Sequence, residues 1–228
     1  MAVRTGGPGP TGLSLLVVPL KNTPGVTMTR IYTSGHNTGA TTFIDLDDVR
    51  VPVENLVGKE GSGMKYVMTN FNHERLFICI GGCRVSRIAL SDAFSYCMKR
   101  EAFGKTLIEQ PVVRHRLAKC GAMLESQWAW VEQLTYMMNT MTKAQADQEL
   151  GGLTAMAKAQ VGIVFDECAR TNVLLHGGNG FTKTGQGQLA ERLYREVPGM
   201  KIPGGSEDIM LDLGIRQLLK NYERKAKM

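Results

Sequence analysis

From about Met64 to Arg100 the sequence keeps a helical period, and a rod of that length dictates how the remaining elements can pack. Gly81 and Gly82 weaken its middle, at a point where a neighbouring backbone can approach closely. Near its start, Val67, Phe71, Glu74, Ile78 and Val85 follow the three- and four-residue steps that share one helix face. Four are apolar and the fifth is a carboxylate. An unpaired charge on a core stripe is costly, so Glu74 there requires a reason. The reason can be structural, an ion pair with a buried Arg or a backbone cap. It can also be catalytic, because partial desolvation raises a carboxylate's pKa and strengthens it as a base. On residue type alone the structural reading is the commoner one, since ion-pair networks perturb carboxylates too.

Three more helical patterns follow. One begins at Pro111, with Val113, Leu117, Cys120, Leu124, Trp128, Val131, Leu134 and Met138 as its stripe. Another runs from about Leu153 to Leu175, with Ala157, Val161, Val164 and Cys168 on one face, and ends at Gly177-Gly178 in the manner of a C-cap. The last starts at Ser206 as N-cap, followed by Glu207 and Asp208, and ends among Lys220, Arg224, Lys225 and Lys227, so both ends suit the helix dipole. Four long amphipathic helices make a bundle. Ahead of them, strand signals lie at Leu13–Pro19, Val26–Tyr32 and Ala40–Val53, after a loop-like opening. So few strands leave edges unpaired, which reads as the second half of a β domain and a chain that is a fragment. The expected fold is mainly α: a C-terminal four-helix bundle over 61–228, preceded by part of an antiparallel β domain over 1–60, with Gly58–Gly63 as the hinge.

The net charge of +6 comes from scattered basic residues that lack aromatic interleaving, which argues against nucleic acid and leaves a small anionic ligand or an acidic partner. The five cysteines show no CxxC spacing and read as buried thiols of a reducing compartment. The four histidines have no ligand spacing, so no metal site is expected. The longest apolar run, Leu13–Leu20, is too short to span a membrane.

Three stretches offer groups that a pyrophosphate needs. Arg100-Glu101-Ala102-Phe103-Gly104-Lys105 supplies a guanidinium, a ring and a glycine; Gly177-Gly178-Asn179-Gly180-Phe181 supplies backbone amides; Gly204-Gly205-Ser206 leads into a helix N-terminus. With Asp48-Val49-Arg50-Val51-Pro52 and the loop Ile202–Ile209, and in this order, they resemble the acyl-CoA dehydrogenase family over nearly the whole chain. That resemblance implies FAD, an acyl-CoA substrate, and a homodimer or homotetramer in which each bundle reaches a neighbour's flavin. It implies FAD contacts at Arg100, Phe103, Gln110, Gly177 and Gly178 toward the neighbour, and at Ser206 within the same subunit. Where the family usually has Gln, three residues before Gly177, this sequence has Leu174.

The resemblance also bears on Glu74. Many members carry the base in the loop before the last helix, but here that position is Gly204. In isovaleryl-CoA and long-chain dehydrogenases it lies on the first bundle helix, just before an Arg, as Glu74-Arg75 does. The implied activity is α,β-dehydrogenation of an acyl-CoA thioester, in fatty-acid β-oxidation or branched-chain acyl catabolism. Glu74 is the implied base, with Asn72, His73 and Arg75 around the substrate. For Arg75 a helix-surface ion pair is the plain alternative. The implied electron acceptor is an electron-transfer flavoprotein or, for an acyl-CoA oxidase, oxygen. A non-catalytic helical oligomerisation module is the reading from another class. Ala226-Lys227-Met228 resembles a peroxisomal address, while relatives of this family commonly reside in the mitochondrial matrix.

Overall fold

The computed structural model describes residues 1–227; Met228, the end of the Ala226-Lys227-Met228 stretch, and the side chain of Asn37 lie outside the described residues. Residues 1–71 form one compact unit and the chain from Asn72 onward forms another.

The first unit holds short strands β1 (Ala2–Arg4), β2 (Leu13–Leu16), β3 (Val26–Arg30), β4 (Thr42–Leu46) and β5 (Leu56–Val57). An antiparallel sheet has the order β1-β2-β5, with Val3 opposite Ser14 and Leu16 opposite Leu56. β3 and β4 pair separately, from Val26↔Leu46 to Arg30↔Thr42. The opening residues are therefore a strand and not the loop expected of them; a three-residue strand is too short to show a period. Gly58–Gly63 is anchored within this unit. Ser14, fully buried, accepts the Gly61 N–H at 2.9 Å and shares a 2.7 Å bond with Thr5, which satisfies its hydroxyl. The Lys59 N–H donates to the Tyr66 hydroxyl at 3.2 Å.

Helix α1 (Gly63–Lys99) matches the expected rod and leads to a hairpin of β6 (Glu101–Ala102) and β7 (Lys105–Thr106). There follow α2 (Pro111–Thr140), α3 (Lys143–Glu149), α4 (Gly151–His176), α5 (Gln188–Arg195), α6 (Val197–Lys201) and α7 (Glu207–Ala226). The expected α2 stripe is buried from Val113 to Leu134, except that Gln127 is buried and Trp128 only half so. Gln127 is tolerated inside because its amide donates to the Ala157 carbonyl at 3.1 Å.

Helix α4 is the axis of the second unit. From Gly151 to Phe165 it has no charge but Lys158 and no exposed residue, which marks a segment covered on every side; Asp166, Glu167 and Arg170 follow. Its small residues set the spacing: a Cβ on Gly152 would fall 2.8 Å from the Gly214 carbonyl of α7, so these two backbones close up as no larger pair could. Gly82 of α1 is met by the Val161 side chain, at 2.5 Å from a hypothetical Cβ, and not by a backbone; Gly81 faces open space. All five cysteines are free and buried, and burial pushes the Cys79 thiol up to about 12. Among the described residues no helix is long and apolar enough to cross a membrane, and no group of three or more metal-type side chains gathers.

Candidate functional site

The buried face of α1 is offset by one residue from the predicted stripe. Asn72, Arg75, Leu76, Cys79 and Cys83 turn inward, while His73 and Glu74 are exposed; Val67, Phe71, Ile78 and Val85 form only a half-buried flank. The core therefore does not desolvate Glu74, and the argument from burial belongs to its neighbour. Asn72 faces the start of α4, where its Oδ1 would lie 3.6 Å from a Cβ on Gly151.

Arg75 is 5% exposed, which removes the surface ion-pair reading. Burial lowers its pKa, opposed by the charge of Glu74 beside it. Its Nε–H donates to the Gly204 carbonyl at 3.2 Å. A second cation approaches the same turn from below. Lys158, 1% exposed in the middle of α4, donates from Nζ to the Lys201 carbonyl at 2.6 Å and to the Gly205 carbonyl. The Lys201 side chain reaches outward to Asp166 at 3.3 Å and Glu207 at 3.2 Å. The segment between α6 and α7 is thus gripped from α1, α4 and α7.

Gly204 has φ +72°, and a Cβ there would lie 2.8 Å from Ile78 Cδ1 and 3.9 Å from Arg75 Cγ. The turn that lacks a carboxylate consequently abuts α1 one residue and one turn beyond Glu74. Ser206 is the N-cap residue of α7, as expected, but its side chain makes no capping bond.

A second set of groups gathers at the far end of α1, about 38 Å from Glu74 at 1.5 Å per residue. Phe103 and Gly104 close the β6–β7 hairpin with φ +55° and +76°, the signs that a two-residue type I′ turn needs. An aromatic residue is a poor choice for a left-handed position, and Phe103 is also 95% exposed. Phe103 therefore combines backbone strain with near-complete exposure. Next to the hairpin lies a cavity of about 520 Å³ lined by Asp92, Tyr96, Lys99, Arg100, His176 and Gln186 among others. Tyr96 and His176 stack at 4.1 Å, the His176 Nδ1–H donates to the Asn172 carbonyl at 3.0 Å, and its Nε2 lies 3.9 Å from Asp92 Oδ2. The Asn172 amide donates to that same Asp92 oxygen at 3.0 Å, while its buried Oδ1 has no protein donor.

His176 is followed by Gly177 at φ +58°, which ends α4 as the sequence predicts and leaves Gly177 and Gly178 exposed. The Asn179 amide ties this turn to α1 by donating to the Tyr96 hydroxyl at 3.2 Å. Arg100 lines the cavity, whereas Gly177 and Gly178 only follow its lining residue His176, and Phe103 lies on the adjoining hairpin. Gln110 does not line that cavity; it is the N-cap residue of α2, its carbonyl accepting the Val113 N–H at 3.1 Å. Lys99 and Arg100 at the cavity and the exposed Phe103 ring on the hairpin are groups that suit a dinucleotide phosphate, so this cationic rim fits FAD, although Asp92 and Glu101 line the same cavity and the Gly177 N–H is taken by the Leu174 carbonyl.

Sequence reasoning missed Lys158, Tyr96, Asp92, Asn172 and His176. A signal existed for Lys158: it is the one charge in the stretch Gly151–Phe165, where small and apolar residues dominate every face, so its helix position points to the interior.

Residues 61–219 match the family described as acyl-CoA dehydrogenase, C-terminal domain. The chain is 66% identical over 227 residues to acyl-CoA dehydrogenase apdG of Emericella nidulans, an overlap of 100% of this chain and 52% of the relative. It is 30% identical over 206 residues to glutaryl-CoA dehydrogenase of Desulfococcus multivorans, covering 88% of this chain and 50% of that one. Among solved structures, the glutaryl-coenzyme A dehydrogenase complex with glutaryl-CoA superposes with a TM-score of 0.81 at 28% identity, over 93% of this chain and 52% of its own. The chain spans about half the length of the curated relatives it matches.

Proposed function

The chain belongs to the acyl-CoA dehydrogenase family, and on that premise we propose that it supplies the base for α,β-dehydrogenation of an acyl-CoA thioester, with Glu74 in that role. The observation that carries this reading is the approach of the Gly204 turn to α1 at Arg75 and Ile78, one residue and one helical turn beyond Glu74. Gly204 packs against Arg75 and Ile78, beside Glu74, and has no carboxylate of its own. Where the turn brings no acid group, the helix beside it does.

A Glu74 oxygen takes the α-proton as the Cα–H bond breaks, and the electron pair left behind becomes the second Cα–Cβ bond as the β-hydrogen departs. FAD, when bound, supplies the acceptor for that hydrogen and its electron pair. Exposure of Glu74 leaves it open to substrate, so the water exclusion that strengthens it as a base comes from the bound thioester and not from the core. Arg75 sets positive charge beside the base while holding the Gly204 carbonyl.

Ser206 lies near the Glu74 end, whereas Arg100, Phe103, Gly177 and Gly178 lie at the far end of α1. One dinucleotide cannot bridge about 38 Å of helix. This supports a homodimer or homotetramer in which the far end serves a neighbour's FAD.

The test is Glu74→Gln in the full-length protein. Acyl-CoA binding should survive, while flavin reduction slows by about 100- to 10,000-fold, the usual cost of losing a general base. Near-normal reduction by that variant would end the assignment.

A further inference from the structure

The turn that borders the base has little to hold it in place by itself. Between the end of α6 and the start of α7, its own backbone contributes the Gly205 N–H bond to the Ile202 carbonyl, at 3.3 Å. Three of its carbonyls, those of Lys201, Gly204 and Gly205, are instead met by side chains from other helices. Partly buried carbonyls lose hydrogen-bond energy without donors, so these contacts hold the turn where the donors are.

The two donors differ in what they can do. Arg75 reaches the turn from the same helix as Glu74 and meets one carbonyl. Lys158 comes from α4, the central helix, and meets the two carbonyls that bracket Ile202-Pro203-Gly204. Its Cε would lie 3.7 Å from a Cβ on Gly204, directly under the residue that presses on Ile78. An ammonium on a four-carbon stem is a compact three-donor group, suited to gathering carbonyls that do not share a plane. Position 158 is also enclosed: Lys158 lies among Ala155, Ala157, Ala159 and Val161, each at most 2% exposed.

We propose that Lys158 is a positioning residue for this reaction, whose ammonium draws the Lys201 and Gly205 carbonyls onto α4 and so fixes the Ile202–Gly205 turn as the wall of the site facing Glu74. The inference rests on Glu74 being the base. What it adds is the distance across the site: α1 carries the base, α4 carries the clasp, and the turn between them sets the room in which the thioester α-carbon can lie. Lys158 touches no substrate in this scheme and acts through the turn alone.

The experiment uses the full-length FAD-loaded protein with Lys158→Met, which keeps the stem and removes the donors, and Lys158→Gln, which restores an N–H donor on a shorter stem. Three quantities are read for each: acyl-CoA affinity, the rate constant of flavin reduction, and amide hydrogen exchange over residues 202–206. In the methionine variant, affinity should stay within about threefold while flavin reduction slows by about 10- to 100-fold, the scale expected from misplacing a reacting group by about 1 Å. Exchange across the turn should rise by at least about tenfold with the α4 amides unchanged, because local opening no longer breaks the Lys158 bonds. The glutamine variant should recover part of both. Wild-type flavin reduction in the methionine variant, or unchanged exchange across the turn, overturns the proposal. So does failure of both variants to fold, which makes Lys158 a residue of stability alone. Glu74→Gln serves as the control that separates the two readings. If it reduces flavin normally, the base assignment fails; turn exchange in the lysine variants still judges the clasp.

Discussion

Gly204→Ala converts the geometry of this turn into a measurable energy. The backbone there has φ +72°, a region that costs an L-residue about 1–2 kcal/mol. The new Cβ would sit 2.8 Å from Ile78 Cδ1, inside carbon–carbon contact distance, but that methyl is the free end of its side chain and swings aside at an off-rotamer cost of about 0.5–1.5 kcal/mol. The sum is about 1.5–3.5 kcal/mol, or about 3–14 °C in melting temperature at about 2–4 °C per kcal/mol for a unit of this size. A double-mutant cycle separates the two parts. Ile78→Val deletes the atom being struck, so combined with Gly204→Ala it should return about 0.5–1.5 kcal/mol of coupling and leave the backbone cost in place. The assay is thermal unfolding of wild type, both single variants and the double variant, followed by circular dichroism. A single variant that melts within about 1 °C of wild type, or a cycle with no coupling, refutes the close approach of this turn to α1. The same numbers bear on any attempt to move the proposed base: Gly204→Glu, intended to rescue Glu74→Gln, begins with this full burden and needs Ile78→Val beside it.

Phe103→Asn should have effects of opposite sign: asparagine suits a left-handed position, so the hairpin gains up to about 1 kcal/mol while flavin retention falls. Higher melting with unchanged flavin content would show that the ring is not held out for the cofactor. Burial lowers the Lys158 pKa to about 8, with Cys79 opposing the shift and Arg75 adding to it. Between about 8 and the unfolded value near 10.4 the unfolded chain then binds more protons, so stability should rise with pH across that window and level off above it. Urea midpoints at pH 8 and 10 should diverge between wild type and Lys158→Met; parallel midpoints would contradict the shift.

The helices were legible because their signals are local. Pro111, the Gly177 cap and the acidic first turn of α7 each sit where the structure starts or stops a helix. The face of α1 was not, because Glu74 and Arg75 are adjacent and a stripe drawn through 71, 74 and 78 differs by one position from one through 72, 75 and 79. Apolar spacing alone does not choose between them when Ile78 and Cys79 suit both. The choice is made by what packs on α1, namely α4 through Val161 at Gly82 and the turn at Gly204. Lys158 escaped for a related reason: its partners are backbone carbonyls more than forty residues away, and a carbonyl leaves no mark in a sequence. The β6–β7 hairpin was hidden by its size, since two-residue strands carry no period.

The length of α1 has a genetic corollary. In the proposed oligomer each catalytic centre takes Glu74 from one polypeptide and the Arg100 end from another. An allele lacking the carboxylate and an allele lacking the guanidinium would each be inactive when expressed singly. Co-expressed, they would assemble heterodimers in which one centre inherits both defects and the other inherits neither. Intragenic complementation, approaching half the wild-type turnover per mixed pair, is what a rod with a separate duty at each end would leave in a cross.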